Sequence, residues 1–144
     1  MNTILVTGGA GYLGSHTILE ILAGKKCDVI SADNYSNSSA DTFKRIASIS
    51  GKEIKNYVVD LCNKEETIRI FKENPGITGI IHFAAFKSVP ESVQNPLLYY
   101  HNNIESLVNM LWCAREFNVP HFIFSSSCSV YGDIDKLPVN EKTP

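Results

Sequence analysis

The chain has 144 residues, 44% of them hydrophobic and 19% charged, the composition of one globular domain with enough apolar residues for a core and not of a disordered or fibrous chain. A formal net charge of −2 and the lack of any basic cluster exclude the electrostatic footprint of a nucleic-acid or anionic-membrane binder. No apolar run approaches the roughly 20 residues of a membrane-spanning helix, and Met1 leads into a strand without a basic leader and cleavage site, so the expected compartment is the cytoplasm.

Cys27, Cys62, Cys113 and Cys128 are scattered without paired CxxC spacing, which points to buried free thiols and away from a zinc site or a disulfide framework. His16, His82, His101 and His121 make no metal-ligand spacing either, and no metal is expected.

Thr3-Ile4-Leu5-Val6 is apolar and β-branched, as a strand buried on both faces of a parallel sheet should be. It runs into Thr7-Gly8-Gly9-Ala10-Gly11-Tyr12-Leu13-Gly14, after which Leu13, Thr17, Ile18, Ile21 and Leu22 recur at helical spacing up to Gly24, a residue suited to the C-terminal cap. Strand, glycine turn and helix together predict a phosphate cradle. Gly8 permits the tight turn, Gly11 lets backbone approach a pyrophosphate, and Gly14 lets the helix pack closely. The free N–H groups and positive helix end then face the phosphates.

Cys27 to Ala32 reads as the second strand and ends at Asp33, 19 residues beyond Gly14. A carboxylate there accepts hydrogen bonds from the adenosine ribose hydroxyls and repels a 2′-phosphate, which favours NAD over NADP. The segment Tyr35 to Ser39 is a polar loop, and residues 41–50 form a short helix before a Gly51-Lys52 turn. Asn56-Tyr57-Val58-Val59 is the third strand. At its carboxyl end stand Asp60 and Leu61, where the aspartate either contacts the adenine or caps the helix from Lys64 to Glu73. Gly79 to Phe83 is the fourth strand, followed by Ala84-Ala85-Phe86-Lys87, whose two small residues permit close approach of a ribose or pyrophosphate. His82, alone inside an apolar strand, reads as a satisfied core histidine more than a catalytic one.

Leu97 to Phe117 is the longest predicted helix, with Ile104, Leu107, Val108, Leu111 and Trp112 on one stripe and Tyr100, Asn103, Met110 and Phe117 elsewhere. Apolar groups on both sides predict a second covered surface, most simply by a partner subunit. Phe122 to Phe124 is the fifth strand and ends in Ser125-Ser126-Ser127. The alternation predicts an α/β fold, a doubly wound parallel sheet of the Rossmann type with about five strands present, incomplete at its C-terminal side.

The blocks TGGAGYLGSH at residues 7–16, DNYSNSS from Asp33, HFAAFKSVPESVQNPLLYYHNN at residues 82–103 and FIFSSSCSVYGD at residues 122–133 resemble the nucleotide-sugar epimerases of the extended short-chain dehydrogenase/reductase family. The lysine-containing FAAFKSV block and the following ESVQNPLLYY favour 4-epimerases over sibling dehydratases and decarboxylases. Departures are few: Ala85 stands where a glycine is frequent, and Pro90 replaces a smaller residue.

The resemblance implies interconversion of UDP-glucose and UDP-galactose by transient oxidation at C4 of the hexose, with tightly held NAD; the apolar groups on both sides of the helix from Leu97 to Phe117 add the expectation of a homodimer. It implies that Gly8, Gly11 and Gly14, with Tyr12, Leu13, Asp33, Asn34, Tyr35, Ser36, Asn37, Ser38, Asp60 and Leu61, hold the pyrophosphate and adenosine. Phe83, Ala84, Ala85, Phe86, Lys87, Asn102 and Ser125 would hold the nicotinamide half. Ser127 would be catalytic, hydrogen-bonding the sugar 4-oxygen, and Lys87 and Ser127 would also meet the UDP-hexose.

The family's Tyr-x-x-x-Lys pair does not occur among these residues, and Tyr131 has Asp135 four positions later. A tyrosine without a cationic neighbour keeps a pKa of ~10, too high for a base near neutral pH. The expectation is therefore a single cofactor-binding domain over residues 1–144, lacking the remaining strands, the Tyr/Lys segment and the small substrate domain, and inactive alone. A non-catalytic NAD-binding module is the other function class compatible with the sequence.

Overall fold

The structure is a computed structural model that describes residues 2–134 and 137–143, apart from the side chain of Cys128. Five strands form one parallel sheet: β1 (Thr3–Thr7), β2 (Asp28–Ala32), β3 (Lys55–Tyr57), β4 (Ile77–His82) and β5 (His121–Phe124), in the spatial order β3-β2-β1-β4-β5. The order reverses at β1, so the crevice outside the carboxyl ends of β1 and β4 is the topological switch point where ligands of open α/β sheets bind.

The helices are α1 (Tyr12–Gly24), α2 (Asp41–Ser50), α3 (Lys64–Glu73), α4 (Val89–Gln94), α5 (Pro96–Tyr100) and α6 (Ser106–Glu116). Successive residues of a strand face opposite sides of the sheet, and β1 shows the result. Leu5 belongs to a core with Ile70 and Phe71 of α3 and Met110 and Cys113 of α6, while Val6 belongs to another with Ile18 and Leu22 of α1 and Ile46 of α2. β1 is thus covered on both faces, which is why its interior is apolar without alternation, whereas β5 leaves Ile123 and Phe124 exposed.

Several boundaries differ from expectation for identifiable reasons. The helix α1 ends with Lys25, not Gly24, in the left-handed conformation (φ 53°), its N–H bonded to the Leu22 carbonyl. β3 stops at Tyr57 although Val58 and Val59 are β-branched. The β2 ladder has ended by then: Asp33 N–H takes the Tyr57 carbonyl, leaving Val58 exposed and Val59 buried against the core.

The long helix predicted from Leu97 to Phe117 is interrupted. α5 passes through a π turn, His101–Glu105, into α6, and α4 precedes them as a separate short helix. At the turn the Cys62 thiol lies 3.8 Å from the His101 carbonyl and 3.6 Å from that of Asn102 as their donor, the latter carbonyl also accepting from the Ser106 N–H. Met110 and Cys113 are fully buried, whereas Ile104 and Val108 are 51% and 55% exposed, so the stripe through Ile104 and Val108 is the outer face. Ser106 and Asn109 are buried instead, Asn109 donating to the Leu61 and Cys62 carbonyls at 2.9 and 3.1 Å.

Candidate functional site

A cleft of about 580 Å³ opens along the carboxyl ends of the strands. Its floor is the turn between β1 and α1. Gly8 adopts φ +67°, and a Cβ built on it would lie 2.9 Å from the Ala84 backbone nitrogen, so only glycine brings the β1 and β4 exits this close. A Cβ on Gly14 would lie 2.2 Å from the Gly8 carbonyl oxygen; α1 therefore seats directly on the turn. Gly11 is the N-cap of α1 and supplies no side-chain cap. The first N–H groups of a 13-residue helix are left to face the cleft, an arrangement that favours a phosphate.

Asp33, half-buried at the end of β2, is the acid of the cleft floor. Its Oδ2 accepts from the Ala10 N–H at 2.9 Å, and its Oδ1 accepts from the Tyr35 N–H and the Ser38 hydroxyl, both at 2.8 Å. Asn34, Ser36, Asn37 and Ser38 border the same space. Tyr35 does not. Its φ is 61°, its hydroxyl accepts from Asn56 Nδ2 at 3.0 Å, and its ring meets Phe43 edge-on.

Opposite stand Asp60 and Leu61. The Asp60 carboxylate accepts from the Cys62 N–H at 2.9 Å, and the cap of α3 is Asn63, whose Oδ1 accepts from Glu65 and Glu66 N–H. With the helix capped by its neighbour, Asp60 is not needed as a cap. Burial is the first cause, and the Asp60 charge the second, that push the Cys62 thiol up to about 11, so it stays protonated as the donor to the π turn.

The loop after β4 is held at three points by side chains. Phe83 and Ala84 N–H both donate to Thr7 Oγ1 at 3.2 Å. Asn103 accepts from Phe86 N–H at 2.8 Å and donates to the Phe86 carbonyl at 2.9 Å. Ser88 N–H donates to the Tyr99 hydroxyl at 3.1 Å, which donates to Glu91 at 2.6 Å. Phe83 through Lys87 and Asn102 thus line the cleft. Among the described residues no carboxylate lies within 4.0 Å of the Lys87 ammonium, which leaves it available to an anion.

Ser125 and Ser127 are exposed beyond β5 and are not among the cleft-lining residues; Ser127 Oγ accepts from Ser129 N–H at 3.2 Å. Asp135 lies outside the described residues. The cleft also takes in Ala32, Val59, Ser88, Glu91, Tyr99 and Ser106, which carry no motif of their own. For Glu91 and Tyr99 a signal did exist, since both follow Lys87 within the single sequence block at residues 82–103. His82 is 2% exposed and its burial lowers its pKa to about 4, so it is the neutral core residue that the sequence implied. Among the described residues no group of His, Cys, Asp and Glu could hold a metal ion, and no helix is long and apolar enough to cross a membrane.

The NAD dependent epimerase/dehydratase family matches residues 4–144. Over 99% of its length the chain is 44% identical to the UDP-glucose 4-epimerase of Schizosaccharomyces pombe, and over 96% it is 46% identical to that of Pasteurella multocida. It spans 41% and 40% of those relatives' own lengths. The UDP-glucose 4-epimerase of Bifidobacterium longum, solved in complex with NAD+ and UDP, superposes on 99% of the chain and 42% of its own with a TM-score of 0.93 at 46% identity. The chain belongs to the NAD dependent epimerase/dehydratase family.

Proposed function

We propose that these residues form the NAD-binding part of an enzyme that interconverts UDP-glucose and UDP-galactose by transient oxidation at C4 of the hexose. The observation that carries the reading is that the capless α1 N-terminus, Asp33 and the loop from Phe83 to Lys87 border one cleft at the switch point of the sheet. The turn at Gly8 and the open N–H groups of Tyr12, Leu13 and Gly14 fit the pyrophosphate. Asp33, with Asn34, Ser36, Asn37 and Ser38, fits the adenosine ribose, and Asp60 and Leu61 fit the adenine. Ala84, Ala85, Phe86, Lys87 and Asn102 fit the nicotinamide half.

NAD supplies the acceptor and donor of hydride at C4 when bound. The chain's own part is to hold the dinucleotide, to offer the Lys87 ammonium to an anionic group, and to present Ser127, at the exposed end of β5, as the hydroxyl that hydrogen-bonds the sugar 4-oxygen. The general base is not among the 144 residues, in which no tyrosine is followed four positions later by lysine. Similarity over nearly the whole chain to named UDP-glucose 4-epimerases supports this chemistry ahead of a non-catalytic binding module.

Two copies would pair through the outer face of α5 and α6, where Leu97, Tyr100, Ile104, Val108 and Leu111 are exposed. One helix face meeting its own copy about a two-fold axis buries the same apolar patch twice. A cytoplasmic location accords with the reading.

A coupled epimerisation assay tests it. The full-length protein should turn over UDP-galactose, and Ser127→Ala should lower its kcat with a smaller effect on NAD content. Residues 1–144 alone should be inactive, because general-base catalysis is worth ~10²–10⁴-fold and the groups that orient the sugar are elsewhere. Epimerisation by residues 1–144 alone would overturn the assignment of the base to another segment.

A further inference from the structure

Tyr35 is a bulky residue held at φ 61°, a backbone region that such side chains rarely occupy. Strain of this kind persists only where the surroundings over-determine it, and here they do. The Tyr35 hydroxyl accepts from Asn56 Nδ2 at 3.0 Å, and its ring lies edge-on to Phe43 of α2, 6.3 Å between centroids. The same Asn56 amide donates to the Asp33 carbonyl at 3.2 Å. Asn56 Oδ1 is buried with no partner among the described residues, so the contribution of this amide lies in the two bonds it donates.

The left-handed turn at Tyr35 sets the course of the chain towards Ser38, and just ahead of it the Tyr35 N–H donates to Asp33 Oδ1. Together with the Ser38 hydroxyl on Oδ1 and the Ala10 N–H on Oδ2, it occupies three of the roughly four acceptor positions of the carboxylate. The charge is pinned with a single acceptor position open, on Oδ2. It cannot swing into solvent to make room for a second anion.

We infer that Tyr35 and Asn56 are specificity-determining positioning residues: without touching the cofactor they fix the Asp33 carboxylate where it excludes a 2′-phosphate. The inference rests on the reading of the cleft as an NAD site. Were the loop free, Asp33 would turn outward and the uncharged Ser36, Asn37 and Ser38 beside it could receive a phosphate. The ratio of NAD to NADP affinity then falls mainly because NADP binds more tightly. A merely structural role would weaken both dinucleotides by the same factor.

The test is titration of the full-length protein and three variants with NAD and with NADP, beside thermal denaturation of each. Tyr35→Gly removes the strain and the side chain together; its melting point should not fall steeply, and its NAD:NADP affinity ratio should drop about tenfold, the scale of a charge-assisted contact. Asn56→Leu and Tyr35→Phe each cut the link between β3 and the loop and should lower the ratio about three- to fivefold, the worth of one net hydrogen bond. Should Asn56→Leu not fold, Tyr35→Gly still decides. Preference for NAD in the parent protein with an unchanged ratio in Tyr35→Gly and Tyr35→Phe would overturn the positioning role. No preference in the parent protein would overturn the reading of Asp33 itself, and this inference with it.

Discussion

Thr7 and His82 stand opposite each other on the central strands β1 and β4, with Thr7 Oγ1 2.9 Å from His82 Nδ1. Because Thr7 Oγ1 already accepts from Phe83 and Ala84 N–H, its own proton goes to Nδ1. The imidazole is thereby set as the neutral tautomer with hydrogen on Nε2. One threonine thus ties the core histidine to the first residues of the loop that borders the cleft.

That pair makes stability depend on pH with a definite sign. Burial holds His82 down to about 4 against an ordinary 6.5, so the unfolded chain takes up a proton at a pH where the folded one does not. The contribution is complete above about 6.5, is lost as pH falls towards 4 and changes no further below that. Its span is about 3 kcal/mol. Denaturant titrations at pH 7 and pH 4.5 should show the loss in the parent protein and a smaller one in His82→Phe. Equal losses in both would remove His82 as the source.

Thr7→Val keeps the shape but leaves the Ala84 N–H and a ring nitrogen of His82 without their side-chain partner, while the Phe83 N–H keeps the Thr7 carbonyl. The cost should be about 2–3 kcal/mol by the usual penalty for buried unpaired groups, measurable by urea unfolding. A change within 0.5 kcal/mol, the scale of a neutral surface substitution, would show that the two groups find other partners.

The glycine turn offers an internal comparison. Gly51 and Gly8 have similar φ values of +70° and +67°, but a Cβ on Gly51 meets nothing within 4 Å, whereas one on Gly8 meets Ala84 backbone at 2.9 Å. Gly51→Ala should cost about 1–2 kcal/mol of left-handed strain. Gly8→Ala adds a backbone clash and should cost about 2–4 kcal/mol, with loss of dinucleotide binding. Equal costs would mean that the loop after β4 simply moves aside.

The exposed outer face of α6 predicts association. Small-angle scattering at micromolar concentration should give a dimer for the full-length protein and a monomer for Ile104→Asp combined with Val108→Asp. A parent protein that scatters as a monomer would remove the pairing.

The sheet, its order of alternation and most of the cleft were legible in the sequence because each rests on local physics: apolar β-branched runs for strands, glycine where the backbone must approach, acids at strand ends. What was not legible depended on tertiary partners. Val58 and Val59 have strand character, but β2 had already ended beside them. Which side of the long helical segment faces the core was not legible because both sides carry apolar groups: Met110 and Cys113 pack into the core, while Ile104 and Val108 are exposed. Tyr35 belongs to the cofactor loop in sequence yet turns its ring towards Phe43 and Asn56, since only its N–H is needed at Asp33. Glu91 and Tyr99 lie inside the sequence block at residues 82–103, but the hydrogen bond across eight residues that joins them at the cleft is specified by no spacing rule.

The central claim, that the cleft is a dinucleotide site in which Asp33 selects the cofactor, is tested most directly by titrating the full-length protein with NAD and NADP, with and without Asp33→Ala. The account predicts tighter binding of NAD by the parent protein and loss of that preference in the variant, a change of roughly 2–3 kcal/mol in relative affinity because a charge repulsion and a charge-assisted hydrogen bond disappear together. Equal affinity of the parent protein for both cofactors, or a preference that survives Asp33→Ala, would contradict it.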